Sequence, residues 1–100
     1  MLEMLRNLKN SDGATLKNYK SVSYKTGWQV ADHGLECRTA EEAAAAIDSF
    51  NGSCGIWYEN GVYYIDHSFR VKTKKEALSI GRAHNQISIL KWSDMSLVYC

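Results

Sequence analysis

One hundred residues set a single domain with enough chain for one core. A hydrophobic share of 45% with 23% charged residues is ordinary globular composition, which excludes a disordered chain. A net charge of +1 excludes a strongly acidic imitation of DNA and a protein held to nucleic acid by bulk charge alone.

The first predicted element is a helix over 1–10, where Met1, Met4, Leu5 and Leu8 share one stripe before the Asn10-Ser11-Asp12-Gly13 turn cluster. About ten residues make a marginal helix in isolation, so it must dock on the rest. Glu3, Arg6 and Lys9 interrupt its apolar side, so it does not read as an export signal. With no run long enough to span a membrane, the chain is expected to be soluble and cytoplasmic, in a host cell if phage-encoded.

From residue 20 onward the chain echoes itself at a step of 34. Tyr24 maps on Tyr58, Gly27 on Gly61, Asp32-His33 on Asp66-His67, Thr39 on Thr73, Glu42-Ala43 on Glu76-Ala77 and Asn51 on Asn85. These are eight identities where ordinary composition gives roughly three. They fall on turn, cap and core positions, which marks a repeated structural unit. The expected segments are therefore 1–19, a helix and turn; 20–52, a first repeat; 53–86, a second repeat; and 87–100, a terminal hairpin.

Each repeat is predicted to open with a hairpin. Asn60-Gly61 is a strong two-residue turn signal, Thr26-Gly27 its weaker counterpart, and Ser93 to Ser96 a looser third. The Asn60-Gly61 turn pairs Tyr58 with Tyr63 and Ile56 with Ile65 on one face, and Trp57 with Tyr64 and Glu59 with Val62 on the other. The same parity through the repeats assigns Val22, Tyr24, Ile56, Tyr58, Leu90, Trp92, Leu97 and Tyr99 to the core. The opposite face then collects Ser23, Lys25, Trp28, Trp57, Glu59, Tyr64, Lys91 and Ser93. At Asp32-His33-Gly34 and Asp66-His67-Ser68 a tight turn is favoured over one long strand with a bulge.

Two helices follow. Thr39-x-x-Glu42 and Thr73-x-x-Glu76 are capping boxes, and Asn51-Gly52 is a left-handed stop for the first helix. Ala43, Ala46, Ile47 and Phe50 form one buried stripe, and Ala77, Ile80, Gly81 and His84 its copy. The sum is an α+β fold: an internally duplicated hairpin/strand–helix unit of period 34, an antiparallel sheet with two helices on one face, and a short N-terminal helix.

Charge breaks the symmetry of the repeat. Glu36 becomes Arg70, Glu41 becomes Lys75 and Asp48 becomes Arg82, so one helix surface is acidic and its copy basic. The plain reading is solvated faces that drifted apart. The functional reading is a basic patch of Arg70, Lys72, Lys74, Lys75 and Arg82 for an acidic protein or phosphates, or self-association between opposite faces into a homodimer.

Two Asp-His pairs raise a metal site, but turn polarity accounts for them and no metal or cofactor is expected. Cys37, Cys54 and Cys100 lack metal or redox spacing, and Cys37 reads as a buried apolar residue. No nucleophile–base grouping and no phosphate-cradling glycine loop is present, so no catalytic residue is expected. Trp28, Trp57 and Tyr64 on an uncovered sheet are costly unless something covers them. That cover is either the N-terminal helix or a partner, for which they would be anchors or stacking platforms.

The stretch from Val22 to Asn51 resembles the small DNA-binding fold of plant AP2 domains and integrase arm domains. Its helix opens with a T-x-E-E-A phrase, Thr39-Ala40-Glu41-Glu42-Ala43, matched more loosely by Thr73-Lys74-Lys75-Glu76-Ala77. The resemblance implies a three-stranded sheet before the helix that reads DNA from its strands, which here carry Lys20, Lys25, Trp28 and Arg38. In size and in its aromatic and charged faces, the chain also looks like compact phage proteins that block host defences, anti-CRISPR proteins among them. That implies a non-enzymatic binder of a larger host complex such as a CRISPR effector. Its contacts would be Trp28, Trp57, Tyr64, Arg70, Lys72, Lys74, Lys75 and Arg82, with nucleic-acid binding through the basic repeat as the alternative.

Overall fold

A computed structural model describes all residues from Met1 to Cys100. The elements are α1 (Leu2–Arg6), β1 (Asp12–Lys17), β2 (Lys20–Ser21), β3 (Trp28–Cys37), α2 (Ala40–Ser49), β4 (Cys54–Glu59), β5 (Val62–Val71), α3 (Lys74–Ala83), β6 (Ser88–Lys91) and β7 (Ser96–Tyr99). The fold is α+β, with strand order β2-β1-β4-β5-β3-β6-β7 in an antiparallel sheet. No helix is long and apolar enough to cross a membrane. The chain divides into two compact units, Met1–Val22 with Gly34–His67, and Ser23–His33 with Ser68–Cys100. These do not follow the expected segments 20–52 and 53–86, because β3 and β5 each give one part to either unit.

In the first unit the β4–β5 hairpin sets the geometry. Asn60 (φ 49) and Gly61 (φ 80) both take the left-handed region, the mirror-image turn whose twist matches the strands. The resulting register is the expected one, with Tyr58 opposite Tyr63, Trp57 opposite Tyr64 and Ile56 opposite Ile65. Cys54, Ile56, Tyr63 and Ile65 meet Ala40, Ala43, Ala46 and Ile47 of α2 in one buried cluster, completed by Leu5, Leu16 and Cys37.

The α2 helix begins as the sequence requires: Thr39 Oγ1 accepts from the Glu42 amide at 3.1 Å, and Glu42 Oε2 accepts from the Arg38 amide at 3.1 Å. It ends with the Gly52 amide on the Ile47 carbonyl (2.9 Å) and Asn51 at φ 54. A strand, β1, was not expected within 1–19. It pairs with β4, and its hairpin to β2 turns on Asn18 (φ 51) and Tyr19 (φ 68). Tyr19 closes on the end of α2, its amide on the Gly52 carbonyl and its hydroxyl on Asp48 Oδ1 at 2.8 Å.

The N-terminal helix is five residues long, shorter than the expected 1–10. Leu5 is fully buried, Met4 and Leu8 pack beside it, and the Tyr63 hydroxyl donates to the Leu5 carbonyl at 3.0 Å. Arg6 also pairs with Glu41 of α2. So α1 lies with α2 and does not cover Trp57 and Tyr64, which corrects one of the two expectations for that face.

The second unit joins the first part of β3, the end of β5, α3, β6 and β7. Its cluster is Val30, Val71, Ala77 and Ile89, with Trp28, Phe69, Leu78, Ile80, Val98 and Cys100 packed against it. Thr73 Oγ1 accepts from the Glu76 amide at 3.2 Å to start α3, and the Gln86 amide on the Gly81 carbonyl (2.8 Å) ends it. The helix bounds and caps thus recur at the 34-residue step, as do the starts of β3 and β5.

Strand pairing does not confirm the duplication. Of the first-repeat hairpin expected around Thr26-Gly27 only the second arm forms, as the start of β3, and residues 22–27 form no strand. Tyr24 instead packs edge-on against Trp92 at 5.3 Å, and β3 takes β6 as its partner, Trp28 opposite Lys91.

Further corrections concern parity. The turns expected at Asp32-His33-Gly34 and Asp66-His67-Ser68 are absent, and β3 and β5 run straight through ten residues each. Gly34 is glycine for space, not for φ: a Cβ there would stand 2.5 Å from Asp66 Oδ1. In the second unit the expected core set divides: Trp92 is buried as expected, with Tyr24 against it, but other members are not. Trp28 and Ile89 pack toward α3, whereas Leu97 and Tyr99, assigned to the core, are 58% and 73% exposed. Ile89 and Trp92 are both buried although they differ in parity, so no single face of this segment is the core. Ile89 enters beside Gly81, where a helix Cβ would meet Cys100 Sγ at 2.7 Å and Ile89 Cγ2 at 3.3 Å. His84, expected on the buried stripe, caps α3 and is exposed.

The docking of α1 gives a direct check. Leu5→Ala should cost about 2–5 kcal/mol in urea denaturation, because a fully buried leucine leaves a cavity. Amide exchange over residues 2–6 should accelerate more than elsewhere, since five residues hold no helix alone.

Candidate functional site

Strand alternation decides which aromatic residues remain available in the first unit. Tyr63 and Ile65 point to α1 and α2, so Tyr64 must point away, and its partner Trp57 with it. Trp57 is 46% exposed and Tyr64 36%. On the neighbouring strand Gly13 stands opposite Trp57, and a Cβ there would lie 2.9 Å from Trp57 Cε3. The indole therefore lies down over Gly13 and presents a flat surface. Glycine weakens a strand, and an aromatic ring laid across it restores contact that the missing side chain does not make.

Asp66 belongs to the same face two residues beyond Tyr64, opposite Gly55 and beside Gly34. It is half-buried, and that burial pushes its carboxyl above the usual carboxylate range. Burial likewise pushes Cys54 up to about 11, with the Asp66 charge adding to it, and raises Cys37, where Glu42 adds. All three cysteines are free, and Cys37 is buried as expected. Neither buried thiol has the exposed, electropositive setting of a reactive one.

The expected site residues separate into three places. Trp57 and Tyr64 share the open face just described. Trp28 is partly buried against the α3 cluster, with Lys91 Nζ 5.9 Å from its ring centre, so its assignment to an open face is corrected. Arg70 turns to its own unit: Nε donates to the Thr26 carbonyl at 2.9 Å, Nη2 to Thr26 Oγ1 at 3.1 Å, and the guanidinium sits 5.2 Å from the Tyr24 ring centre.

Lys72, Lys74, Lys75 and Arg82 remain exposed. Lys74 and Lys75 open α3, at the end of a helix that favours negative charge. Sequence reasoning also missed a polar chain in the second unit, in which Trp92 Nε1 donates to Gln29 Oε1 (3.1 Å) and Gln29 Nε2 to Ser68 Oγ (3.0 Å). The buried Ser68 and Trp92 are satisfied by it. No sequence signal pairs Gln29 with residues 39 and 63 positions away. Asp66 was legible, since it shares the parity of Tyr64, but a turn was read there.

No group of three or more His, Cys, Asp or Glu side chains converges in a way that would hold a metal ion. Comparison with known proteins finds no matching family model, curated protein or solved structure, so the functional reading rests on this chain's own geometry.

Asp66 yields a pH-dependent test. Its folded value lies above the unfolded one, so the stability it contributes is full below the unfolded value and is lost as pH rises through the folded value. Asp66→Asn removes that loss. The variant should melt higher than the parent at pH 7 and coincide with it near pH ~3, below the ordinary carboxylate range. Equal melting temperatures at both pH values would contradict the assignment.

Proposed function

We propose that this chain is a non-enzymatic protein-binding module whose contact surface is the open sheet face of its first unit. The observation that carries the reading is the cross-strand pair of Trp57 and Tyr64, left exposed over a glycine by a hairpin that buries the alternate residues. Rigid aromatic side chains held flat lose little entropy when a partner covers them, which is why tryptophan and tyrosine dominate binding hot spots. The finer reading is an inhibitor that occludes a larger host complex, in the manner of anti-CRISPR proteins. It is supported by small size and by the exposed aromatic and charged side chains.

A second reading, nucleic-acid binding, draws on Lys72, Lys74, Lys75 and Arg82. Two lysines in the first turn of α3 oppose the helix dipole, and an anion there would offset that cost. Arg70, bonded to Thr26, contributes less to this surface than its sequence position implies.

Trp57→Ala should weaken capture of a protein partner by about 30-fold or more, the scale of a hot-spot truncation, with the melting temperature nearly unchanged. A large fall in melting temperature would instead make Trp57 a structural residue. For the second reading, low-salt gel shifts on single- and double-stranded probes should show binding that weakens steeply with salt and is reduced in a Lys74→Glu/Lys75→Glu variant. A flat titration ends that reading.

A further inference from the structure

The β7 strand lies at one end of the sheet order and has β6 as its only registered neighbour. Its four residues, Ser96 to Tyr99, contain no charged side chain, and the chain has no proline anywhere. Exposed strand edges are usually blunted by lysine, proline or a bulge, because an open row of amides and carbonyls recruits another strand. Its shortness aside, β7 has none of these protections.

Its backbone has a definite polarity. Successive residues of an antiparallel strand send their amide and carbonyl groups alternately to one side and the other. The Cys100 amide donates to the Ile87 carbonyl at 3.0 Å, which fixes Cys100 and Val98 as the residues bonded toward β6. Leu97 and Tyr99 therefore direct their amides and carbonyls to the open edge. They are also the residues whose side chains are most open, on the face opposite Val98. Donors, acceptors and apolar surface thus coincide on two residues spaced i, i+2.

We infer that β7 is a self-association edge, pairing antiparallel with β7 of a second copy of this chain about a two-fold axis, Leu97 opposite Tyr99 of the second copy. This register makes both Leu97–Tyr99 pairs hydrogen-bonded, which sets four backbone bonds across the edge. Val98 then falls opposite Val98 of the second copy, extending the cluster over which α3 packs. A second copy fits better than a charged partner because a strand without charge meets its own image with no like-charge repulsion. Leu97, Tyr99 and Met95 (59% exposed) would cover at most roughly 700 Å² over two copies, below the usual range for stable association. The dimer is accordingly weak and concentration-dependent. It is independent of the Trp57–Tyr64 surface and stands or falls without it.

Sedimentation equilibrium of the full chain from ~1 to ~500 μM, read with amide exchange at both ends of that range, tests the pairing. The expected result is a monomer–dimer equilibrium in which the Leu97 and Tyr99 amides gain protection with concentration. The Val98 and Cys100 amides should stay protected throughout. Leu97→Lys should weaken the dimer about tenfold with an unchanged melting temperature. Tyr99→Lys should do the same and serves if the first variant folds poorly. A monomer at every concentration overturns the inference. So does a dimer that leaves the Leu97 and Tyr99 amides unprotected or ignores both lysines, and so does growth beyond two copies.

Discussion

The two-residue turn at Asn60-Gly61 is the constraint on which the first unit depends. Both residues adopt positive φ, so the strands leave the turn with one register and one twist. A slip of one residue would turn β5 over against β4, so that Tyr63 and Ile65 left the face on which Ile56 is buried. With the register fixed, Ile56 and Ile65 receive α2, and the Tyr63 hydroxyl reaches the Leu5 carbonyl and anchors a helix too short to hold itself. The aromatic face is the other side of the same decision. Alternation cannot bury Tyr63 without exposing Tyr64.

Bulk is distributed differently in the second unit. In the first unit the helix supplies Ile47, and Cys54 and Ile56 of the strand pack with it. In the second the helix has Gly81 and the strand has Ile89, which is fully buried. The space left by the helix glycine is filled by Ile89 and Cys100. The inward turn of Ile89 carries Val98 inward beside it and Leu97 outward. The apolar edge of β7 is thus a consequence of packing under α3.

Function follows from what this packing leaves over. The acidic and basic helix surfaces that dominate the sequence are largely solvated, and Arg70 is bonded within its own unit. What remains costly is apolar: Trp57 and Tyr64 on one face, Leu97 and Tyr99 at an edge. Exposed lysines cost almost nothing to hydrate, whereas exposed aromatic rings do, so the rings are the stronger indication of contact.

Local chemistry alone determined the helix starts at Thr39 and Thr73, the stop at Asn51-Gly52, and the Asn60-Gly61 hairpin with its pairs. Each depends on residues within a few positions of one another, where backbone sterics and side-chain caps act without help from the rest of the chain. Tertiary structure decided the remainder. Whether Asp66-His67-Ser68 turns or runs straight, which strand Trp28 joins, and which side of β6 is buried all depend on groups distant in sequence. Glycine in particular reads as a turn signal, yet Gly13 and Gly34 lie in strands because Trp57 and Asp66 need the space. A missing side chain states only that something comes close; what comes close is known only once the chain has folded.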